Sequence, residues 1–423
     1  MRHTWPCLLC FVGALAAQNP GGHLTPEQVT LEQVTREALD RNLGLLAERY
    51  NVSIAEARMI TARLRPNPVL SVGADYLDAL GTGFNLVNAA GPGEVNFRTD
   101  FLLERGGKRQ GRMEVAEGAR AVAQLNLLNS TRLLLLDVEG AFVDVLLAKE
   151  NLTLARENLQ AFTGIVEVNS ARVRAGDLAQ VELLRSRVAV LQFQSAVRQA
   201  ELRLRLARNR LQALMGRTTF SPAFDVAGTL RRDAATVSTD DLKRQAFELR
   251  PDYQALARDQ ARSLADVRLQ MAQGKVDYTV GAQYHRQFSN ATGNSLGFFF
   301  SAPLPVFNRN QGEIERARRE QQQIQARLKA LEAEIASQVQ NAYQQFSTAR
   351  ELLESIEKDM LGQAREVRET TEYSYKRGEA SFVEFLDAQR AFNDAIQSYN
   401  EARAEYARSL YLIDSISGKA VNP

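Results

Sequence analysis

Cysteine is almost absent from the sequence, and its placement is informative. The only two cysteines, Cys7 and Cys10, lie at an apolar run that fills residues 8–17. A short N-terminal apolar run that ends in small residues is typical of a secretory signal peptide, and we predict one at residues 1–17. The processed chain would hold no cysteine, which excludes disulfides and thiol chemistry. Lipid attachment at Cys10 is the alternative, although Leu9 stands where lipoprotein processing needs a small residue.

Net charge, aromatic side chains and long apolar runs are scarce as well. Lys and Arg number 52 and Asp and Glu number 50, so the basic surface that nucleic-acid binding needs is missing. One Trp and 7% aromatic residues are modest for large compact cores. The most apolar later stretch, residues 133–148, contains Asp137, Glu139 and Asp144 and does not predict a membrane helix. If the chain lies in a membrane, strands must cross it.

One turn occurs twice, in residues 172–187 and again in residues 375–390. Each copy has a glycine that can adopt the left-handed backbone with which many helices end. In each copy an N-cap residue is followed three positions later by Glu or Gln, which predicts the start of the next helix. The matched pairs are Gly176 with Gly378 and Glu182 with Glu384, and the predicted capping boxes join Asp177 to Gln180 and Ser381 to Glu384.

These turns lie inside a larger repeat, because a helix, two strands, a long helical rod and a returning helix follow one another twice. We predict a first repeat at 18–218, a linker at 219–241 and a second repeat at 242–423. At 1.5 Å per residue each rod would span about 90 Å. The predicted helices cover 31–65, 113–174, 242–273 and 314–375, with returns that end at 214 and 417, and the predicted strands cover 69–76, 95–103, 278–284 and 295–304.

The four predicted strands alternate apolar and polar side chains. Their length of about nine residues is what a tilted strand needs to cross a bilayer, so we predict that one face meets lipid. Two ordinary hairpins on a soluble helical protein are the alternative. The predicted lipid-facing residues are Leu70, Val72, Phe97, Phe101, Tyr278, Val280, Phe298 and Phe300.

Four strands cannot close a membrane barrel alone. The smallest membrane barrels have about eight strands, and open strand edges are not tolerated in lipid. Other copies of the chain must therefore complete the sheet, which predicts an obligate oligomer. The long rods suit side-by-side packing into a tube, so the predicted fold class is mainly α with a small β part. A coiled-coil scaffold is an alternative, but it does not explain two hairpins at equivalent positions of both repeats.

Four segments in a fixed order carry a resemblance to a known family: 64–70, 106–109, 303–312 and 375–390. Over nearly the whole processed chain they resemble the TolC family of outer membrane efflux proteins. The last two segments are most similar to the branch that exports cobalt, zinc, cadmium, copper or silver ions. The resemblance implies a homotrimer, with four strands per chain and twelve in one outer membrane β-barrel, continued by a long periplasmic α-helical barrel. It also implies a closable tip that docks onto a periplasmic adaptor and an inner-membrane pump.

The repeated turns lie at this tip if the resemblance holds. Glu384 and Asp387 are three residues apart at a helix start and share a face, which would look into the narrow periplasmic entrance as two stacked acidic rings. Tyr375 is predicted to bond Glu182 as a latch. Helix capping by Glu384 and a favourable dipole position for Asp387 are the alternative. The predicted tip and adaptor-docking residues are Gly176, Asp177, Arg377, Gly378 and Glu379.

No catalytic or metal-binding constellation is evident, so we predict no enzymatic activity and no cofactor. The histidines are His3, His23 and His285, and we expect His285 to be a solvated residue of the barrel lumen. The main functional prediction is an exit duct of a tripartite efflux system for metal cations or drugs. A protein secretion duct of the same fold is the first alternative, and a cell-surface or periplasmic scaffold is the second.

Overall fold

The computed structural model describes residues 27–77, 93–233, 237–288 and 293–421. The predicted signal peptide, with Cys7 and Cys10, lies outside these residues. The helices are α1 Leu31–Arg41, α2 Leu43–Arg63, α3 Lys108–Ala175, α4 Gln180–Leu214, α5 Thr239–Leu249, α6 Pro251–Gln273, α7 Gln311–Ser355, α8 Leu361–Arg377 and α9 Phe382–Ser417. The strands are β1 Glu27–Val29, β2 Val69–Asp75, β3 Glu94–Leu103, β4 Phe224–Val226, β5 Tyr278–Gln287 and β6 Gly293–Ser301. A short 3₁₀ helix, Lys419–Val421, follows α9.

The first helix of each repeat is broken, where the sequence predicts a continuous helix. Asn42 separates α1 from α2: its side-chain oxygen accepts from the Leu45 N–H at 3.0 Å, and its amide nitrogen donates to the Leu214 carbonyl at 2.9 Å. Arg250 separates α5 from α6, because Pro251 has no N–H and disfavours helical backbone in the residue before it. The prediction of uninterrupted helices is therefore wrong at two points, which lie 208 residues apart.

Part of the predicted linker, 219–241, belongs to the core. Its strand β4 pairs in parallel with β1, so that Val226 lies opposite Val29. Phe224 and Val226 are buried and belong to the same apolar cluster as Val138 of α3. The segment is therefore an ordered part of the first repeat's core over these residues, rather than a connection alone.

Two helical rods determine the length of the molecule. α3 has 68 residues and spans about 100 Å at 1.5 Å per residue. α7 and α8 form the matching rod of the second repeat, and a π-helical turn at Ile356–Met360 joins them without a break. Such a turn inserts an extra residue into the helical repeat and so rotates the buried stripe. None of the described helices is both long and apolar enough to cross a membrane.

A four-stranded antiparallel sheet stands at the start of both rods. Its order is β2-β3-β5-β6, so the two repeats contribute adjacent halves of one sheet. Within each hairpin Val72 pairs with Phe97 and Ala282 with Phe298, and Phe97 pairs with Tyr284 across the junction of the repeats. Among the described strands, β2 and β6 each have one unpaired edge.

Buried side chains form three apolar clusters spread along the helices. One lies mainly on α3 with α1 and β4, and a second lies mainly on α7 and α9. The third is at the far end of the rods, around Phe162, Tyr375 and Phe385. Many buried positions are alanines, such as Ala141 and Ala407, which let neighbouring helices approach closely.

Candidate functional site

The ends of the rods farthest from the sheet are closed by two turns with the same backbone. Gly176 has φ 85° and Gly378 has φ 81°, which is left-handed backbone. That conformation costs a residue with a β-carbon about 1–2 kcal/mol. Asp177 and Glu379, which follow directly, each donate a backbone N–H at 2.9 Å to the carbonyl five residues earlier. A β-carbon at Gly378 would lie 3.5 Å from Arg172 Nη2, so the two turns are neighbours in space.

The turns differ in how the next helix is capped. Ser381 Oγ accepts from the Glu384 N–H at 3.3 Å, and Glu384 Oε2 accepts from the Ser381 N–H at 2.7 Å, which is the predicted capping box. In the first repeat α4 begins at Gln180 after Ala179, which has no side-chain oxygen, and no side-chain cap bond forms. The predicted box from Asp177 to Gln180 is wrong, because Asp177 lies two positions before the N-cap residue. Its backbone N–H instead closes the turn at the end of α3.

Tyr375 joins the two repeats beside these turns, but through a partner other than the predicted one. Its side chain is 3% exposed and stacks on Phe385 with ring centroids 5.3 Å apart. Its hydroxyl donates to Asn169 Oδ1 at 2.6 Å. The predicted bond to Glu182 is wrong, and Glu182 instead accepts from Arg185 at 2.8 Å. Burial raises the pKa of Tyr375, and the hydrogen bond with Asn169 opposes that rise.

Asn169 belongs to a polar seam between α3 and the second repeat that the sequence analysis missed. The sequence does contain a signal for this seam, because asparagines occupy positions of α3 at which buried apolar side chains are otherwise found. Asn158 and Asn169 are examples, beside Phe162 and Ile165. Because these groups are paired across the seam, they fix how the repeats align. The pairs along the seam are Asn169 with Tyr375, Asn158 with Gln389, Asn151 with Asn400, Glu150 with Arg403 and Asp144 with Arg408.

Glu384 and Asp387 lie one turn apart at the start of α9, and both are exposed. Hydrogen bonds from the backbone and hydroxyl of Ser381 lower the pKa of Glu384, so its carboxylate is charged at neutral pH. The Asp387 side chain is 67% exposed and lies 3.8 Å from Arg390. The two bonds that the Glu384 carboxylate accepts from Ser381 both reach Oε2, so the capping role and an electrostatic role are compatible.

The remaining predicted tip residue, Arg377, immediately precedes Gly378. Its guanidinium packs over the Tyr373 ring at 4.5 Å from the centroid. Arg377 and Glu379 are exposed, as is Asp177 on the neighbouring turn. The two turns therefore present a mixed polar surface at the end of the rods.

The sheet has one apolar and one polar face. Paired residues of antiparallel strands share a face, and the register pairs Phe101 with Val280, and Val280 with Phe300. The opposite face carries Arg98, Asp100 and Gln283. The eight predicted lipid-facing residues all share the apolar face, namely Leu70, Val72, Phe97, Phe101, Tyr278, Val280, Phe298 and Phe300.

His285 lies on the polar face of β5. Its Nε2 is 3.4 Å from Glu94 Oε2, and it pairs across the sheet with Asn96 and Ser295. The described residues contain no group of three or more His, Cys, Asp or Glu side chains that could hold a metal ion. His3 and His23 lie outside the described part of the chain.

The family model for outer membrane efflux proteins matches residues 34–217 and 242–419, which are most of both repeats. The chain belongs to this family. It is 26% identical to the cobalt-zinc-cadmium resistance protein CzcC of Cupriavidus metallidurans, over 92% of this chain and 90% of that protein. It is 25% identical to the nickel-cobalt-cadmium resistance protein NccC of Alcaligenes xylosoxydans xylosoxydans, over 80% and 75%. The solved structure of the transmembrane channel protein CusC superposes with a TM-score of 0.77 at 18% identity, covering 96% of this chain and 95% of that one.

Family membership confirms several predictions. This outer membrane efflux protein is mainly helical with a small β part, and its sheet lies in the outer membrane with the long helices in the periplasm. It is an efflux channel that works as a homotrimer with a periplasmic adaptor and an inner-membrane pump. The apolar face of the sheet and its two unpaired edges agree with this placement.

Proposed function

We propose that this efflux protein is the passive exit duct for divalent heavy-metal cations. The observation that carries the proposal is its similarity to two heavy-metal resistance proteins, over 92% and 80% of the chain. In this proposal the channel itself performs no enzymatic step, which its membership of the outer membrane efflux protein family supports. The pump selects and drives the cation, and the channel provides a path across the outer membrane.

The periplasmic entrance is lined by carboxylates. In a trimer, three copies of Glu384 and Asp387 form two stacked acidic rings at the narrow tip. Carboxylates confined in a narrow mouth raise the local concentration of cations. The exposure of both side chains, and the low pKa that Ser381 imposes on Glu384, support this role.

The resting tip is held by the hydrogen bond between Tyr375 and Asn169. A hydrogen bond of this kind contributes about 0.5–1.5 kcal/mol, which an adaptor that binds the tip can offset. Glu182 lies beside this bond and contributes charge to the entrance rather than a latch contact. The adaptor binds the exposed turns, whose residues are Gly176, Asp177, Arg377, Gly378 and Glu379.

The rest of the chain serves the same duct. A signal peptide at 1–17 directs export, and two repeats, 18–218 and 242–423, each contribute half of the sheet and two helices of the tube, with 219–241 between them. The eight predicted lipid-facing residues contact the lipids of the outer membrane. The exposed apolar side chains of that face, with Phe298 at 85% and Phe300 at 67%, support this assignment.

A resistance assay tests the substrate. Cells that lack this channel but keep the pump and adaptor with which it co-purifies receive the wild-type gene or an empty vector. We expect the inhibitory concentrations of cobalt, zinc and cadmium salts to rise several-fold, while those of organic antibiotics and dyes stay unchanged. Restored drug resistance without metal resistance would contradict the proposal.

Planar bilayers test the acidic rings. Glu384→Gln combined with Asp387→Asn should reduce cation selectivity, measured as the reversal potential in a salt gradient, and weaken block by trivalent metal ions. Glu157→Gln combined with Glu167→Gln removes two exposed carboxylates from α3 and is the matched control. If both double variants behave like wild type, Glu384 serves only as a helix cap.

A further inference from the structure

Six exposed basic side chains surround the end of the sheet from which the helices emerge. We propose that they form a binding site for anionic phospholipid headgroups in the inner, periplasmic leaflet of the outer membrane. The inference rests on the outer membrane location of the sheet and is independent of the exported substrate. This basic collar consists of Arg63, Arg65, Arg105, Arg109, Lys275 and Arg309.

The collar begins where the apolar face of the sheet ends. The last row of that face toward the helices pairs Leu103 with Tyr278. From that row to Val95 the strand β3 advances eight residues, about 26 Å along the strand at 3.3 Å per residue. At the tilt of about 40° that membrane strands have, this length rises about 20 Å along the membrane normal, which is most of the apolar band of about 25 Å on membrane barrels. Arg105 follows two residues after Leu103. The headgroup layer of the periplasmic leaflet must therefore lie at the level of the collar.

Contacts among four chain segments bring the collar together. Arg109 Nε donates to the Arg63 carbonyl at 2.7 Å. A β-carbon at Gly106, the residue after Arg105, would lie 2.6 Å from Lys275 Cδ. A β-carbon at Gly274, the residue before Lys275, would lie 2.6 Å from the Arg309 carbonyl oxygen. The six side chains therefore lie on one continuous rim, although their segments are more than 240 residues apart at the extremes.

The described residues leave the positive charge of the collar without an acidic partner. In the described part of the structure none of the six forms an ion pair. Two neighbouring basic side chains instead form ion pairs with the nearby carboxylates. Lys108 is buried and binds Asp277 at 2.7 Å, and Arg112 binds both oxygens of Glu104. That pairing also lowers the pKa of Glu104. The remaining six charges face solvent and are available to an external anion.

Arg105 is positioned for a phosphate at the membrane surface. Its guanidinium lies over the Tyr278 ring at 4.3 Å from the centroid and donates to the Tyr278 hydroxyl. Its backbone N–H donates to Asp277 Oδ1 at 2.8 Å, which holds the backbone from which the side chain extends. Tyrosine is favoured at the headgroup level of membrane proteins, and a planar guanidinium can bind phosphate oxygens in pairs. The stacked pair thus joins an apolar anchor to a phosphate-binding group.

An exposed apolar loop supplies the contact with acyl chains. It follows β6, and its side chains include Leu304 at 84% and Phe307 at 91% exposure, with Val306 between them. The loop is fixed below by Asn310, which donates to the Gln270 carbonyl at 2.8 Å. Apolar side chains beside a row of cations match a phospholipid, which has acyl chains directly beside a phosphate. A soluble anion has no part that such a loop would bind.

The start of α3 adds positive potential at the same rim. Gly107, the N-cap residue, has φ 77° and no side chain, so no side-chain cap bond is formed. The first N–H groups of a long helix carry the positive end of its dipole and favour a nearby anion. The helix start reinforces the collar, because Arg105 and Arg109 flank it directly.

Binding of defined lipids to the purified trimer in detergent tests the proposal, with native mass spectrometry as the readout. We expect wild type to bind dioleoylphosphatidylglycerol at least ten-fold more tightly than dioleoylphosphatidylcholine, with the difference falling at high salt. The triple variant Arg65→Gln, Arg105→Gln, Arg109→Gln should lose that preference and keep its weak binding of phosphatidylcholine. The control Arg187→Gln, Arg198→Gln, Arg205→Gln removes three exposed charges from α4 and should bind like wild type within two-fold.

Three results would overturn the proposal. The first is equal binding of the two lipids by wild type. The second is an equal loss of phosphatidylglycerol binding in the collar variant and the α4 control, which would show a general charge effect. The third is full competition by glycerol 1-phosphate at the same concentration as the lipid, which would indicate a site for soluble phosphates. If the collar variant does not assemble, the lipid preference and salt dependence of wild type decide the question.

Discussion

Glu139 should make the stability of the helical part depend on pH. It lies half-buried on α3, and burial raises its pKa to about 7, with a further contribution from the Asp414 carboxylate that Arg231 opposes. Arg231 forms ion pairs with Asp414 and with Asp233, each at 2.5 Å, so these two carboxylates largely neutralise its charge. Tyr411 also faces this group, and its pKa is raised by burial and then by the Glu139 charge.

The direction of the effect follows from proton binding. Above pH 4.5, the ordinary pKa of this carboxyl, the unfolded chain loses a proton that the folded chain keeps until about pH 7. The contribution of Glu139 to the free energy of unfolding therefore falls as pH rises through this window and is constant above it. At 1.36 kcal/mol per pKa unit the loss is at most about 3 kcal/mol, because the side chain retains some contact with water. Glu139→Gln keeps the shape without the charge, so it should stabilise the protein by up to this amount at pH 8 and by little at pH 5.

Denaturant unfolding of the detergent-solubilised trimer, followed by circular dichroism between pH 5 and pH 8.5, measures this difference. Glu157→Gln, on the exposed side of the same helix, is the control for the loss of one carboxylate. Its profile should follow that of wild type. If Glu139→Gln is less stable than wild type at pH 8, then Glu139 is ionised and favourably bonded in the folded protein, and the reasoning from burial is refuted.

Two further predictions concern the sheet and the tip. Phe298→Arg places a charge on the apolar face and should cost about 2–4 kcal/mol near the middle of the bilayer, whereas Thr279→Arg points to the polar face. Assembled trimer in outer membrane fractions should therefore fall strongly for the first variant and little for the second, and equal yields would show that the faces are assigned wrongly. Tyr375→Phe removes the hydrogen bond to Asn169 and should raise resting conductance in bilayers with unchanged selectivity. Unchanged conductance would show that this bond does not hold the tip closed.

The two-repeat plan could be predicted from the sequence because its signals are local. Alternating strands, a pair of tip glycines and long stretches without proline each act over a few residues. The break at Asn42 could not be predicted in this way, because the Asn42 side chain is held by the Leu214 carbonyl, 172 residues further along the chain. The pairing of β4 with β1 could not be predicted for the same reason, since each strand has only three residues and its partner lies in a distant part of the sequence.

At the candidate site, the residue types were predicted better than their partners. Tyr375 and the tip glycines have the expected positions, but the hydroxyl of Tyr375 bonds Asn169 and not Glu182. Both candidates lie near the first turn, so the choice depends on the rotation of α3 and α4 about their own axes. That rotation is set by apolar packing around Phe162, between helices from different repeats. Spacing along a single helix carries no information about it.

The unequal caps of the two turns lead to a last prediction. Ala179 occupies the N-cap position that Ser381 has in the second repeat, and Glu182 stands three residues later, as Glu384 does after Ser381. The backbone is already in place, because the Glu182 N–H donates to the Ala179 carbonyl at 3.0 Å. Ala179→Ser should therefore complete a second capping box and stabilise the start of α4 by about 1 kcal/mol.

Hydrogen exchange of the amides at the start of α4, measured on the intact trimer, gives the size of this effect. A gain of about 1 kcal/mol corresponds to roughly five-fold slower exchange where the amides open locally. Ala179→Val is the control, because valine is as poor an N-cap residue as alanine and brings no side-chain acceptor. If serine and valine give the same exchange rates, the start of α4 is determined by packing against the neighbouring helices, and the missing cap in the first repeat has no energetic consequence.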